Sequence, residues 1–248
     1  MDIELTEDQE LLRNSVQRFL KDEYGFDDRA KIVAGEDGWS RAVWAKFADL
    51  GLLAAPFAEE YGGLGNGPLT TMIVMQEFGR SLVVEPYFET VVLAGGLIEA
   101  LGTDDQRGEL LAEIAAGEAT WALAWAEPGS RYNLNKVSVS ADRSGDDYVL
   151  SGTKAAVIGA PWADRLIVSA RTSGRDGDRD GVSLFIVDSR AAGLHMQSYR
   201  TVDGRRAAEV TLKDVRIPAV NLLGREGQGS SRSRAVATAA SADCVPRL

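Results

Sequence analysis

The 248-residue sequence holds one cysteine, Cys244, and one histidine, His195. A single cysteine excludes an internal disulfide and a cysteine metal site. A single histidine leaves a Ser-His-Asp triad or a multi-histidine metal centre almost nothing to work with, so no metal site is expected. No apolar run approaches the ~18 residues that cross a bilayer, so no membrane span is expected either. The start, Met1-Asp2-Ile3-Glu4, is acidic and polar, unlike the basic and then apolar start of a secretory signal. These absences predict a cytoplasmic protein. Positive charge is in deficit: 27 Lys and Arg against 37 Asp and Glu leave −10. That balance argues against nucleic acid as a partner, because phosphate binding needs a dense cationic surface. A few arginines and backbone N–H groups can still hold one small anion. What remains is ordinary for a globular chain, 45% hydrophobic and 26% charged, and its length predicts one large or two modest domains.

Residues 1–118 read as a helical domain. Thr6 followed three residues on by Gln9 is a capping-box start, and Leu11, Leu12, Val16, Phe19 and Leu20 recur at helical spacing after it. Ser40 to Leu50 predicts a second helix, with Val43, Trp44 and Phe47 on one face and Gly51 as its stop. The cluster Tyr61 to Pro68 reads as turns. Thr70 to Val83 and Phe88 to Leu101 read as helices. Thr103 and Gln106 form another capping box ahead of Leu110, Leu111 and Ile114.

From Thr120 the period changes. Short β-rich runs cover 121–126, 137–141, 148–151, 165–170, 182–187 and 210–212. Ser138, Ser140, Ser183 and Thr211 alternate with apolar neighbours, as in half-buried antiparallel strands. Gly145-Asp146-Asp147 reads as a hairpin turn, and Gly174 to Gly181 as a solvated loop. Even spacing of short strands predicts a small antiparallel barrel or sandwich over residues 119–229. Residues 230–248, rich in Ser, Arg and Ala, show no face bulky enough to bury and read as a disordered tail. The expected class is therefore α+β, an all-α helical domain followed by a small antiparallel β-barrel domain.

Candidate sites are few. Gly224 to Gly229 matches GxxGxG but lacks the strand–turn–helix context of a phosphate cradle, and reads as a loop. Glu127-Pro128-Gly129-Ser130 closes an apolar strand. It is either an ordinary β-turn, with Pro and Gly at its centre, or a rim whose N–H groups hold a carbonyl or phosphate. Trp121 and Trp125 share a strand face, as core or as a platform for a planar ring. His195 reads as a half-buried side chain, and Arg205-Arg206 as solvated surface. Spacing singles out no pair of carboxylates as an acid/base couple.

These parts together resemble the acyl-CoA dehydrogenase family, over residues 1 to about 229. In the helical half the resemblance is carried by Leu5-Thr6-Glu7-Asp8-Gln9, Leu50-Gly51-Leu52-Leu53 and Glu60-Tyr61-Gly62-Gly63-Leu64-Gly65. In the β half it is carried by Ala126-Glu127-Pro128-Gly129-Ser130, Tyr148-Val149-Leu150-Ser151-Gly152-Thr153-Lys154 and Ala163-Asp164-Arg165-Leu166-Ile167-Val168. Further runs, among them Thr201-Val202-Asp203-Gly204-Arg205-Arg206, look most like small subunits of the pimeloyl-CoA dehydrogenase type. The resemblance implies FAD-dependent α,β-desaturation of an acyl-CoA thioester. A carboxylate removes the α-proton, and the β-hydride passes to the flavin N5. Carried over by position, Leu123, Ala124, Trp125 and Ala126 would contact the flavin ring, as would Ala156, Val157 and Ile158. Ser130, with Tyr132 and Asn133, would meet the substrate. No catalytic residue is expected in this chain, because the family's glutamate base lies in a C-terminal four-helix bundle. The chain is expected to lack that bundle, as a truncated or frameshifted product would.

The departures from the family pattern bear on function. Ala126 stands where the family has a threonine, and Ala156 and Ile158 stand where it has an indole and a hydroxyl. Each hydrogen bond lost at a dry site costs about 1–3 kcal/mol, so two losses weaken flavin binding by roughly 10²–10⁴-fold. Two further readings compete with an acyl-CoA dehydrogenase subunit whose isolated chain is inactive. One is a non-catalytic partner of a larger paralogous subunit in a heteromer. The other is a CoA- or lipid-binding module without redox chemistry. Electron-transfer flavoprotein is the acceptor the resemblance implies.

Overall fold

The computed structural model describes residues 5–65, 67–131 and 133–229. Its helices are α1 (Glu7–Glu23), α2 (Phe26–Ala34), α3 (Arg41–Asp49), α4 (Gly67–Ser81), a π-helical segment Phe88–Gly95 that runs into α5 (Gly96–Leu101), and α6 (Asp104–Ala115). Both capping boxes form. Thr6 Oγ1 accepts from the Gln9 N–H while the Gln9 side chain accepts from the Thr6 N–H, and Thr103 and Gln106 do the same. Such caps contribute ~0.5–2 kcal/mol each. Ser40 caps α3 through the Val43 N–H. The helices pack through a relay of rings. Phe19 meets Phe47 at 5.7 Å, Phe47 stacks on Phe78 at 4.7 Å, and Phe78 meets Tyr87 edge-on at 5.1 Å. α2 has no counterpart in the sequence reading because none of its residues is buried, so it presents no apolar stripe.

The strands are β1 (Trp121–Ala124), β2 (Ser140–Ser144), β3 (Asp147–Ile158), β4 (Arg165–Arg171), β5 (Val182–Asp188), β6 (Leu194–Arg200), β7 (Arg206–Pro218) and β8 (Leu222–Leu223). They form one sheet in the order β6-β7-β3-β2-β4-β5-β8, with β1 beside β4. The expected closed antiparallel barrel is not what forms. β1 runs parallel to β4 over four residue pairs, and β2 meets β4 in parallel at Ser140 and Arg171. The sheet is mixed and open. Among the described residues its ends, β6 and β8, do not pair with each other. The physical reason lies in those ends. β8 has only two residues, and β6 is largely exposed, so neither offers the long half-buried strand that closure needs. β2 and β3 form the expected hairpin across Gly145, whose φ of +66° is a backbone state that favours glycine.

β4 and β5 are buried along both faces. On one face Ile167, Leu184 and Ile186 join Trp121 and Leu223 in the core of the helical half. On the other, Leu166, Val168, Phe185 and Val187 form a second core with Tyr148, Leu150 and Val210. The helical and β parts therefore share one apolar layer. One hydroxyl stitches them at the level of the backbone. Thr90, in the π-helical segment, accepts from the Trp121 N–H at 3.0 Å and donates to the Trp121 carbonyl at 3.3 Å. Thr90→Val leaves both Trp121 groups buried without partners. Chemical denaturation should show a loss of about 2–4 kcal/mol, with Thr90→Ser retaining most of the stability.

Candidate functional site

β1 runs into Trp125-Ala126 and then into the turn Glu127–Ser130. The Ser130 N–H donates to the Glu127 carbonyl at 3.0 Å, and Gly129 has φ +80°, the geometry of a type II turn with Pro128 and Gly129 at its centre. The Ser130 hydroxyl closes the turn a second time. It accepts from the Glu127 N–H at 3.0 Å and donates to the Glu127 carbonyl at 2.9 Å. Ser130 is buried.

The turn aims the Glu127 carboxylate inward, where three donors meet it. The Ser138 N–H lies 2.6 Å from Oε2, and the Val139 N–H lies 3.1 Å from Oε1. Lys154 Nζ lies 2.7 Å from Oε1. Lys154, on β3, is fully buried. Its ammonium spends its other two protons on Ser169 Oγ of β4, at 2.9 Å, and on the Trp125 carbonyl, at 3.5 Å. Burial pulls the Lys154 pKa down from its usual 10.5 to about 8, against the raising effect of Glu127. The strap that follows the turn is held again by Arg171, which donates to the Val137 and Asn135 carbonyls.

The two expected ring-contacting segments are neighbours. The Ala155 N–H donates to the Ala126 carbonyl at 2.8 Å. β3 carries a bulge there: Lys154 faces Val210 and Val157 faces Ala208, so one extra residue is accommodated. Ala156, with φ +51°, is exposed, and its N–H reaches Glu209 Oε1 at 3.4 Å. Ala124 and Val157 are buried, while Leu123, Trp125, Ala126 and Ile158 are half-buried. Asn133 is exposed, donates from its N–H to the Ser130 carbonyl and accepts from the Asn135 N–H. Tyr132 and residues 230–248 lie outside the described residues.

Trp121 is wholly buried in the core, as one of its two sequence readings has it, with the Arg165 guanidinium 5.6 Å from its ring. Two other side chains take different places from those read in the sequence. His195 is exposed on β6. Arg206 is not solvated: it is 8% exposed and donates to the carbonyls of Gly35, Glu36 and Gly204. Glu127, Lys154 and Ser169 were not singled out as a cluster. One signal was available, since Leu150 and Lys154 fall an even number of residues apart on one strand, which sets a lysine on an inward face.

Ile158 also lines a cavity of about 340 Å³ between α2, α4, residues 82–89 and residues 203–206. Two buried carboxyls line it. Burial raises the pKa of Glu85, opposed by hydrogen bonds from Tyr24 and Ser40, and raises that of Glu89, opposed by Arg205. Among the described residues no group of three or more His, Cys, Asp or Glu side chains could hold a metal ion, and no helix is long and apolar enough to cross a membrane.

Removing one member of the buried pair exposes its role. Lys154→Met strands the Glu127 carboxylate, and denaturation at pH 7 should show a loss of about 3–5 kcal/mol. A second outcome follows from the lowered Lys154 pKa. Between pH 8 and 10.5 the unfolded chain holds more protons on Lys154 than the native chain, so raising the pH favours the native state. Wild-type stability relative to Lys154→Met should climb across that window, and a flat difference would contradict the shift.

Comparison with known proteins places these features in one family. The acyl-CoA dehydrogenase N-terminal domain model matches residues 6–118, and the acyl-CoA dehydrogenase middle domain model matches residues 122–215. Acyl-CoA dehydrogenase FadE29 of Mycobacterium tuberculosis is 31% identical over 231 residues, 92% of this chain and 59% of that protein. The mouse mitochondrial long-chain specific acyl-CoA dehydrogenase is 32% identical over 231 residues, 89% of this chain and 52% of the enzyme. The chain thus spans under two thirds of the length of these relatives. Among solved structures, the ChsE4-ChsE5 complex from Mycobacterium tuberculosis superposes with a TM-score of 0.85 at 28% identity, covering 96% of this chain and 61% of that one. The Tcur3481-Tcur3483 steroid acyl-CoA dehydrogenase superposes with a TM-score of 0.86 at 25% identity, covering 98% of this chain and 65% of that one. With its helical part and its sheet each matched in chain order, the chain belongs to the acyl-CoA dehydrogenase family through its N-terminal and middle domains.

Proposed function

We propose that this chain is a non-catalytic partner subunit of a heteromeric acyl-CoA dehydrogenase. In this reading it helps bind and shape the acyl group of an acyl-CoA, while a longer paralogous chain supplies FAD and the carboxylate base. The observation that carries the proposal is the chemistry of the neighbouring segments 123–126 and 156–158. Among their side chains only the Trp125 indole can donate a hydrogen bond, and the Ala126, Ala156, Val157 and Ile158 side chains offer neither donor nor acceptor. Two polar side chains of the adjoining turn and strand are already occupied. Ser130 Oγ is closed on the Glu127 backbone, and all three Lys154 protons have acceptors. A flavin ring carries polar edges that need partners, and these side chains do not fit it as a complete cradle. No redox step is therefore assigned to this chain.

FAD, when bound in this family, supplies the hydride acceptor for desaturation. What this chain contributes instead is rigid apolar cover and exclusion of water beside the reacting thioester, which strengthens hydrogen bonds to a developing enolate. Likeness to two structures that each pair two named chains supports a heteromer. The finer likeness to small subunits of the pimeloyl-CoA dehydrogenase type fits the same reading, as does a cytoplasmic location. Electron-transfer flavoprotein would then meet the partner's flavin. The intact Glu127–Ser130 turn favours a second reading, a subunit that itself binds FAD, because that rim is as ordered here as a ligand-holding rim must be.

Purification separates the two. Expressed alone, the full chain should be colourless. Co-expressed with a longer acyl-CoA dehydrogenase paralogue, it should co-purify in a yellow complex whose flavin absorbance bleaches with acyl-CoA. A chain that purifies alone with stoichiometric FAD, bleached by acyl-CoA, overturns the proposal in favour of the second reading.

A further inference from the structure

A second cavity, of about 360 Å³, lies between residues 36–37, the short helical turn Ala160–Trp162 and the end of β6. Its two sides carry opposite charges. On the sheet side stand Arg200 of β6 and Arg206 of β7, which are register partners and so lie directly opposite each other. Like charges in that position repel. Arg206 is buried, and its three hydrogen bonds all go to carbonyls, which bring no negative charge. A guanidinium has five N–H groups, so two remain. The Arg200 guanidinium is exposed and has no hydrogen-bond or ion-pair partner among the described residues. Ser198, two residues earlier on the same face of β6, adds a hydroxyl that is likewise without a partner there. On the helical side stand Glu36 and Asp37, both exposed, and neither carboxylate pairs with an arginine. Between the two sides, Pro161 and Trp162 supply apolar surface. A simple anion entering here meets Glu36 and Asp37, and a simple cation meets the two arginines. None of residues 123–126 or 156–158 lines this space, so its occupancy does not depend on the acyl-CoA reading.

We propose that this cleft binds a small zwitterion, a phosphorylated primary amine, with its phosphate on Arg200 and Arg206 and its ammonium on Glu36 and Asp37. A phosphate monoester carries close to two negative charges, which match two guanidiniums, and its oxygens suit their N–H forks. A lipid headgroup, as a diester with one charge, leaves one arginine uncompensated. A primary ammonium brings three N–H donors to two carboxylates, and a quaternary ammonium brings none. Pro161 and Trp162 cover the carbon linker between the charged ends. On the scale by which a ~150 Å³ cavity holds benzene, the space accommodates roughly a dozen non-hydrogen atoms, enough for such an amine.

Calorimetric titration of the full chain with O-phosphoethanolamine tests this, beside three probes that each lack one feature. Ethyl phosphate lacks the ammonium, ethanolamine lacks the phosphate, and phosphocholine lacks the N–H donors. O-Phosphoethanolamine should bind at least about tenfold tighter than each of them. Arg200→Gln should weaken its binding by about tenfold or more and leave ethanolamine unchanged. Glu36→Gln combined with Asp37→Asn should bring O-phosphoethanolamine down to the level of ethyl phosphate. All three side chains are exposed, so the variants should keep the wild-type melting temperature. Should a variant fail to fold, the wild-type series decides alone. Ethyl phosphate or phosphocholine binding as tightly as O-phosphoethanolamine overturns the proposal. So does an affinity unmoved by Arg200→Gln in a folded variant, or the lack of any O-phosphoethanolamine binding at millimolar concentration.

Discussion

A carboxylate out of water needs donors on every side, and the region around residues 125–139 is arranged to meet that demand at Glu127. Two backbone N–H groups and one ammonium converge on it from the strap and from β3. Lys154 is satisfied in turn by Ser169 of β4 and by the Trp125 carbonyl at the end of β1. One ion pair thus ties together β1, β3, β4 and the strap 133–139. Such a pair adds little net stability by itself, because desolvation offsets attraction, yet losing half of it is costly. Its effect is to fix where the rim sits. The bulge at Ala155 and Ala156 is set beside Ala126 by the same arrangement, one residue from Lys154.

The backbone of this rim is built with care, whereas the side chains facing out from it are bare. Ala126, Ala156 and Ile158 keep the shape of the surface and omit the polar atoms. A chain that kept the scaffold for its own redox chemistry would be expected to keep those atoms too. The combination fits the proposed role of a subunit that shapes a site another chain completes. The cavity behind Ile158 follows a different rule, with buried carboxyls and three arginines on a largely aromatic wall.

What could be read from the sequence was what is local. Thr6 with Gln9 and Thr103 with Gln106 start helices because a cap involves residues three apart, and both boxes form. The hairpin at Gly145 is local too, and so is the turn at Pro128 and Gly129. Pairing between distant strands is not local. Nothing in residues 121–124 says that they lie parallel to 165–168, so an even spacing of short strands suggested a closed antiparallel barrel where an open mixed sheet forms. α2 and β6 escaped because their faces are exposed and carry no period. Arg205 and Arg206 are adjacent in the chain and opposite in fate, which composition cannot foretell. For the site, segments 123–126 and 156–158 are singled out by a family resemblance alone, and their adjacency is a tertiary fact. The Lys154 pair was half legible, as a lysine in phase with Leu150, but its partner 27 residues earlier was not.

The central claim is that the Glu127 carboxylate holds the strap in place. It is tested most directly by native-state hydrogen exchange at the two amides it binds, Ser138 and Val139. Neither amide belongs to a strand, so without the carboxylate both would exchange as loop amides do. The account predicts that both exchange orders of magnitude more slowly than a loop amide, with protection approaching that of the β4 core, and that Glu127→Ala abolishes it. Fast exchange at Ser138 and Val139 in the wild-type chain would contradict the account.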